Sequence, residues 1–393
     1  MAASNSLFVR GLFPEFGKDH LGGIQVSGDI AWQAVSENSA ADLFSYEAPR
    51  GTPWATQRAF SLRTKSIFSA LTRRGNPDLL LVWQIGLLKL LPFFLHQPRK
   101  VVLFLHGIEA WKKQDWLTRE LLKRVDLFLC NSDHTWRQFS RYNPSRARAP
   151  HSVVPLGIYT PVTYETRAPL SPPAALILSR LDKTEDYKGH RELITTWPWV
   201  LKLQPQAQLW IAGDGNLRRD LEILVSELGL EESVKFYGKV SERKKEELLR
   251  GSRCLVMPSR GEGFGLVYLE AMRLGRPCLV STFDAGREVV NPPEAGLAVD
   301  PTIRAELAAS LSRLLSDGTE WENWSINARR RYEANYTAVR FQERLLKVLF
   351  AEKLSAETAS DRILEESVVS VPQPQTEAAA FIGWVSGRPS DRR

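Results

Sequence analysis

One pattern restricts the fold of this chain more than any other. Short apolar runs alternate with stretches of helical periodicity, and they do so in two successive series. The first series places strands at Leu7–Leu12, Leu43–Tyr46, Leu79–Trp83, Val101–Leu105, Leu127–Cys130 and Val153–Val154, with helices such as Gln57–Leu71 and Trp116–Arg124 between them. The second places strands at Ala175–Ser179, Gln208–Ala212, Val234–Tyr237, Cys254–Met257, Cys278–Val280 and Leu297–Val299, joined by helices such as Glu192–Leu203, Leu217–Leu228 and Ile303–Leu315. Alternation of this kind builds parallel sheets with helices on both faces. Between the series, Thr160–Pro173 carries prolines at 161, 169, 172 and 173 and little periodicity, which marks a boundary. A length of 393 residues also suits two domains better than one. The fold expected is therefore α/β, with two Rossmann-like doubly wound domains at 1–165 and 166–340. A helical segment follows over 341–367, with Phe341–Lys353 its clearest stretch. The polar tail 368–393, with Pro372, Pro374 and Pro389, is expected to be disordered.

Charge divides the chain unevenly. Residues 1–165 hold 20 Lys/Arg against 13 Asp/Glu, and the remainder holds 32 of each, so the whole excess of +7 lies in the first half. That points to an anionic partner there: an acidic membrane surface, a lipid phosphate or an acidic saccharide, unless the surface is merely basic. No motif supports nucleic acid. Three cysteines, Cys130, Cys254 and Cys278, make no disulfide framework and are expected as buried thiols in a reducing compartment. Met1–Leu7 lacks the basic start and apolar core of a signal peptide, so a cytoplasmic location is expected, with peripheral attachment to the inner face of the membrane as an extension. The longest apolar run, Leu79–Leu95, is interrupted by Gln84, Gly86, Lys89 and Pro92 and reads as a strand followed by a short helix. Its end, Leu87–Lys100, joins apolar residues to a basic terminus. It suits either a buried helix or a segment resting on an anionic bilayer. Twelve Trp suit a large core first and sugar platforms second.

The chemistry concentrates in Ser259–Met272. Glu262 and Glu270 stand eight positions apart, a glycine-rich elbow lies between them, and the apolar strand Cys254–Pro258 leads in. Gly275 suits the C′ position of a helix running from about Phe264 to Leu274. Strand, elbow and helix N-terminus make an anion cradle, because glycines admit a ligand to the backbone and unpaired N–H groups face its phosphate. A carboxylate at the mouth of such a cradle makes electrostatic sense if the ligand also carries neutral hydroxyls. A nucleotide sugar meets both demands.

Other strand ends add to this. Arg180 and Lys188 fall in Leu178–Arg191, after the first strand of the second series, where open α/β sheets bind ligands. A guanidinium fork and an ammonium there suit a diphosphate, although two basic loop residues alone are usually just solvated. Ile211–Gly215 and Phe236–Val240 close the next two strands with glycines. In the first series His106 ends the strand Val101–Leu105 at the crevice edge, a place for an active-site or a structural histidine. Glu109 is read as an acceptor contact or a helix N-terminal anion. No His/Asp/Glu cluster has metal-ligand spacing, and no cofactor is expected.

In order along the chain, "SRLDKTEDYKGH", "LWIAGDGNLRRDLE", "VKFYGKV" and the Glu262–Glu270 pair resemble the family 4 retaining glycosyltransferases of the GT-B fold, over roughly residues 5–350. The ordered series is specific where any one piece is not. The resemblance implies that the two domains face a cleft, and it implies roles residue by residue. Arg180 and Lys188 grip the donor diphosphate. Glu262 binds donor-sugar hydroxyls near the reaction centre. The backbone of Gly263, Phe264, Gly265 and Leu266 cradles sugar and phosphate, and Glu270 takes the ribose hydroxyls. In the first domain Gly22–Gly23 lets the backbone approach donor phosphate and acceptor, and His106 contacts the donor sugar. Thr184–Tyr187 makes the Arg–Lys segment longer and more acidic than its commonest form.

The implied activity is transfer of a sugar from a nucleoside-diphosphate sugar to the hydroxyl of a saccharide or lipid-linked acceptor, in glycan, polysaccharide or glycolipid synthesis. Retention at the anomeric carbon is implied, with Glu262 orienting the sugar. Three rivals remain: a glycoside hydrolase using Glu262 and Glu270, a non-catalytic GT-B partner subunit, and an anionic-membrane or saccharide-binding protein.

Overall fold

The computed structural model describes residues 7–14, 22–45, 58–59, 63–160 and 169–351. Two parallel sheets form the framework. The first contains β1 (Phe8–Phe13), β2 (Ala40–Ser45), β3 (Arg58–Ala59), β4 (Leu79–Val82), β5 (Lys100–Leu105), β6 (Leu127–Cys130) and β7 (His151–Val153), in the order β3-β2-β1-β4-β5-β6-β7. The second contains β8 (Ala174–Leu178), β9 (Gln208–Ala212), β10 (Val234–Gly238), β11 (Cys254–Met257), β12 (Cys278–Ser281) and β13 (Gly296–Val299), in the order β10-β9-β8-β11-β12-β13. Both sheets run outward from a central strand pair, the doubly wound order, so each has a switch point where its crevice opens. The expectation of two Rossmann-like sheets is met. The helices are α1 (Gly23–Asn38), α2 (Arg63–Thr72), α3 (Trp116–Leu122), α4 (Asp133–Tyr142), α5 (His190–Leu203), α6 (Arg218–Glu227), α7 (Glu242–Gly251), α8 (Leu266–Arg273), α9 (Gly286–Val290), α10 (Arg304–Leu315), α11 (Thr319–Asn335) and α12 (Ala338–Leu349).

The strands read as apolar runs because both faces of each sheet are covered. β4 (LLLV) and β11 (CLVM) are buried throughout. The three cysteines are buried and free. Trp32, Trp83 and Trp197 are fully buried, so these tryptophans serve the core. Trp83 stacks on Phe13 at 5.1 Å, and its Nε1 donates to the carbonyl of Ile24 at 3.1 Å, which fixes the first turn of α1. Gly11 is required for this packing, since a Cβ there would lie 2.4 Å from the Trp32 ring.

Two expectations change. The helix placed at Gln57–Leu71 is interrupted: the chain first adds the two-residue strand β3 to the edge of β2, and α2 starts only at Arg63. Sheet-edge hydrogen bonds take residues that local periodicity assigned to a helix. The last helix begins at Ala338 rather than Phe341. The segment after β4 is a 3₁₀ helix, Ile85–Phe93, with Leu87, Leu88, Leu90 and Leu91 buried against the first sheet. Most of the apolar part of Leu87–Lys100 is therefore spent in the core, with Leu95 left exposed beside the basic end. Among the described residues no helix is long and apolar enough to cross a membrane. The end of the expected linker's proline run (169–173) is described; the segment 161–168 and the tail 368–393 lie outside the described residues.

The two lobes are tied at the back. Ile158 bridges to Thr337, Gln342 Nε2 donates to the Ile30 carbonyl at 3.2 Å, and Arg344 Nη2 donates to the Pro155 carbonyl at 3.0 Å. The chain thus leaves the second lobe through α12 and packs against the first.

Candidate active site

Every expected site residue except Glu270 lies at or just beyond a carboxyl strand end or at the N-terminus of the helix that follows, and these ends meet across the two lobes. After β11 the chain runs through Pro258–Gly265 into α8. Gly265 is the N-cap at φ 84°, a left-handed conformation that favours glycine, and a Cβ there would lie 2.4 Å from the Tyr268 ring. Having no side chain, Gly265 supplies no side-chain capping acceptor; its carbonyl accepts from Tyr268 N at 3.0 Å, and the turn ahead of that bond can face a ligand or water. The helix therefore starts at Leu266, two residues later than expected. Its end follows the sequence reading: Gly275 has φ 66°, its N–H donates to Met272 O at 2.9 Å, and Arg276 N donates to Ala271 O at 3.0 Å. This is the paired bond pattern of a left-handed C′ glycine.

Glu262 is half-buried at the mouth of this elbow. Its carboxyl is held above the ordinary range by burial; Lys188 opposes the shift, Glu185 adds to it, and the backbone N–H groups of Phe264 and Gly263 oppose it. The Glu262 backbone is clamped, with its N–H donating to Asp284 Oδ2 at 3.1 Å and its carbonyl accepting from Ala285 N at 3.1 Å. Asp284 was not anticipated from sequence. It is 3% exposed, and its Oδ1 also accepts from Gly286 N at 2.9 Å. Burial, with the neighbouring Glu262 charge, pushes its pKa up to about 8. The signal was present: Asp284 follows β12 as Glu262 follows β11, at the same ligand-facing edge.

Arg180 and Lys188 lie beyond β8, as expected. A carboxylate stands between them: Glu185 forms ion pairs with Lys188 Nζ at 2.9 Å and with Arg180. Glu270 lies farther along α8 and accepts from Lys245 Nζ at 2.8 Å, while the same ammonium pairs with Glu242 at 2.7 Å.

From the first lobe, Gly23 opens α1 opposite α8; a Cβ on Gly23 would be 3.5 Å from a Leu266 methyl. Backbones touch at Gly107 and Gly263, where a Cβ on Gly263 would lie 2.3 Å from the His106 carbonyl. Only glycine permits this approach. The Gly263 carbonyl accepts from Ser132 Oγ at 2.9 Å and Thr135 Oγ1 at 3.3 Å, and Asn131 Nδ2 donates to His106 O at 2.6 Å. His106 is buried, with its ring stacked on Phe104 at 4.7 Å. Its Nε2 lies 2.7 Å from the Trp83 carbonyl, which can only accept, so Nε2 carries the proton. Burial pushes the imidazole down to about 4, and it is neutral at physiological pH. Glu109 turns one carboxylate oxygen onto the N–H groups of His106 (2.8 Å) and Gly107 (3.1 Å), holding the turn. Across the lobes, Glu288 accepts from Asp133 N and His134 N at 2.8 Å each, at the N-terminus of α4, and from Arg137 at 2.8 Å. Among the described residues no group of three or more His, Cys, Asp or Glu could hold a metal ion.

A charged edge, an open helix N-terminus and a facing glycine backbone suit a phosphorylated, hydroxyl-bearing ligand. Residues 165–331 match the family model "Glycosyl transferases group 1". The chain is 30% identical over 276 residues to the GDP-mannose-dependent monoacylated alpha-(1-6)-phosphatidylinositol monomannoside mannosyltransferase of Corynebacterium glutamicum, covering 64% of this chain and 70% of that protein. The chain belongs to the group 1 glycosyltransferases. The fold of this glycosyltransferase matches sucrose-phosphate synthase from Thermosynechococcus elongatus with a TM-score of 0.71 at 18% identity, over 89% of this chain and 100% of that one. It also matches Anabaena HepE in complex with UDP and glucose, with a TM-score of 0.64 at 17% identity over 87% and 98% of the two chains. The two-lobed GT-B architecture expected from sequence is thus the architecture of this glycosyltransferase.

Proposed function

We propose that this glycosyltransferase is a retaining enzyme of family 4, with Glu262 and Glu270 as its E-x7-E pair, and that it takes a hexosyl or related group from a nucleoside-diphosphate sugar. One observation carries the reading: Glu262, Lys188 and Arg180 converge at one sheet edge beside the uncapped N-terminus of α8. A relative named as GDP-mannose-dependent and a structural neighbour holding UDP and glucose support the donor class.

In this reading the donor diphosphate lies against Arg180, Lys188 and the backbone of Gly263–Leu266, with Gly23 facing it. These groups stabilise the charge that develops as the bond from the anomeric carbon to the phosphate oxygen breaks. The acceptor hydroxyl attacks from the face that the diphosphate leaves, and its proton passes to the departing phosphate oxygen. Glu262 accepts hydrogen bonds from sugar hydroxyls. His106, with its Nε2 proton committed to Trp83, has only Nδ1 to offer and accepts from a sugar hydroxyl rather than acting as an acid. Glu270, oriented by Lys245, takes the ribose hydroxyls. The acceptor is a saccharide or a lipid-linked sugar; the basic first lobe favours an anionic one, at a membrane surface if lipid-linked.

The test is a panel of nucleotide sugars incubated with the full chain, read by release of nucleoside diphosphate. Turnover of one or a few donors is expected, with the anomeric configuration of the product retained. Donor binding without turnover would mark a non-catalytic subunit, and an inverted product would remove the front-face mechanism.

A further inference from the structure

The pair of cations assigned to the diphosphate is already occupied by a carboxylate from its own loop. Glu185 pairs with Lys188 at 2.9 Å and with Arg180, and both Glu185 and Lys188 are about 15% exposed (14% and 15%), whereas Arg180 is 78% exposed. The loop that carries them is fixed. Asp182 Oδ1 caps it by accepting from Thr184 N at 2.8 Å. Gly189 closes it at φ 93°, where a Cβ would lie 2.7 Å from Pro258. Arg260 N donates to the Tyr187 carbonyl at 2.9 Å, and the Tyr187 ring would lie 3.0 Å from a Cβ on Gly261. The Lys183–Lys188 turn is thus held to the 260–261 backbone, and Glu185 cannot leave the cations by a movement of the loop. Only its side chain can turn away.

We propose that Glu185 is a built-in counter-charge: it holds Arg180 and Lys188 together in the empty site and is exchanged for diphosphate oxygens when a nucleoside diphosphate binds. This rests on the reading that Arg180 and Lys188 hold the diphosphate. Each cation has a partner in either state, so Lys188, at 15% exposure, is never left buried and unpaired. The returning carboxylate also competes with the nucleoside diphosphate left after transfer and promotes its release. The more acidic form of this loop acquires a purpose: it limits product affinity at a site whose cations would otherwise retain the leaving group.

Calorimetry with UDP, GDP and inorganic pyrophosphate on the full chain tests this, using wild type, Glu185→Gln, Glu185→Asp and Lys188→Ala. Glu185→Gln keeps the shape and removes the charge, so the nucleoside diphosphate that binds wild type is expected to bind about tenfold tighter. It should also inhibit turnover at about tenfold lower concentration. Glu185→Asp keeps the charge and should stay near wild type, and Lys188→Ala should weaken binding. Unchanged or weaker affinity in Glu185→Gln, or equal tightening in Glu185→Asp, overturns the counter-charge while leaving the diphosphate assignment intact. If Lys188→Ala binds as wild type does, or if no probe binds either wild type or Glu185→Gln, the assignment fails and the counter-charge with it.

Discussion

The two lobes share a strand order and differ in what they place at the facing edge. The second lobe presents charge: Arg180, Lys188 and Glu185 beyond β8 and Glu262 beyond β11, with the protonated Asp284 beyond β12 holding the Glu262 backbone. The first presents mainly backbone and neutral polar groups at this edge: Gly23 at α1, a neutral His106, and Asn131 and Ser132 after β6 that grip the carbonyls of His106 and Gly263, while its Glu109 carboxylate is turned onto backbone N–H groups. One topology thus supports an electrostatic half and a shape-determining half. A ligand with a charged end and a neutral hydroxylated end is matched by such a division.

The division implies that removing charge from the second lobe costs more than removing a side chain from the first. Glu262→Ala and Lys188→Ala are each expected to lower kcat by roughly 10² to 10³, the range for loss of one preorganised transition-state contact. His106→Ala removes a neutral acceptor and is expected to cost about tenfold. Steady-state rates on protein shown to be folded by circular dichroism decide this. A His106 variant more damaged than the Glu262 and Lys188 variants would reverse the roles of the lobes.

A smaller effect is expected behind the site. Asp284 holds the Glu262 backbone and lies close enough for the Glu262 charge to raise its pKa. In Asp284→Ala the buried N–H groups of Glu262 and Gly286 lose their acceptor, a loss of about 1–3 kcal/mol for each group left unsatisfied. Both thermal stability and kcat should fall, with the donor KM changed less than in Lys188→Ala. An unaltered melting temperature would show that the clamp does not bear on the loop. Smaller again is the bracket between lobes. Glu288→Ala removes the acceptor for Asp133 N and His134 N and should cost about 1 kcal/mol, the usual value of a helix N-terminal acceptor. Small-angle scattering should then show a larger radius of gyration, and an unchanged radius would mean that the back contacts through α12 suffice to hold the lobes.

Much of this was legible in the sequence, for a definite reason. Doubly covered parallel strands are continuous apolar runs, so Leu127–Cys130, Gln208–Ala212 and Cys254–Met257 coincide with β6, β9 and β11. Glycines with special roles, such as Gly265 and Gly275, stand out because no other residue adopts their conformation cheaply. What escaped was pairing. Ser132 meets Gly263 across 131 positions and Glu288 meets His134 across 154, and no local pattern encodes such contacts. Glu185 was visible as added acidity in its loop, but its place between two cations depends on how that loop folds. The two-residue strand β3 escaped because it owes its form to a neighbouring edge rather than to its own composition.

The least of the expected effects is in the pH dependence of stability, where the buried histidines and the buried carboxylates act in opposite directions. Burial holds His106 in the first lobe down to about 4, and His190 in the second is likewise held to about 4. Between about pH 4 and the ordinary imidazole value near 6.5, the unfolded chain binds protons that these buried rings refuse, so stability falls as pH drops through that window. Asp284 behaves oppositely. Its carboxyl, raised to about 8, keeps a proton that the unfolded chain has already lost above the ordinary carboxylate range. Its contribution is present at low pH and is lost as pH rises toward 8. Glu262 is raised in the same direction, and its contribution has the same sign. Melting temperatures from pH 4 to 9 should therefore pass through a maximum. Asp284→Asn, neutral throughout, should flatten the alkaline limb, and His106→Gln, which keeps a donor for the Trp83 carbonyl, should soften the acid limb. If the Asp284→Asn curve runs parallel to wild type above neutrality, Asp284 is ionised in the folded protein. Its two backbone N–H partners would then outweigh burial, and the second-lobe edge would carry one more full negative charge beside Glu262.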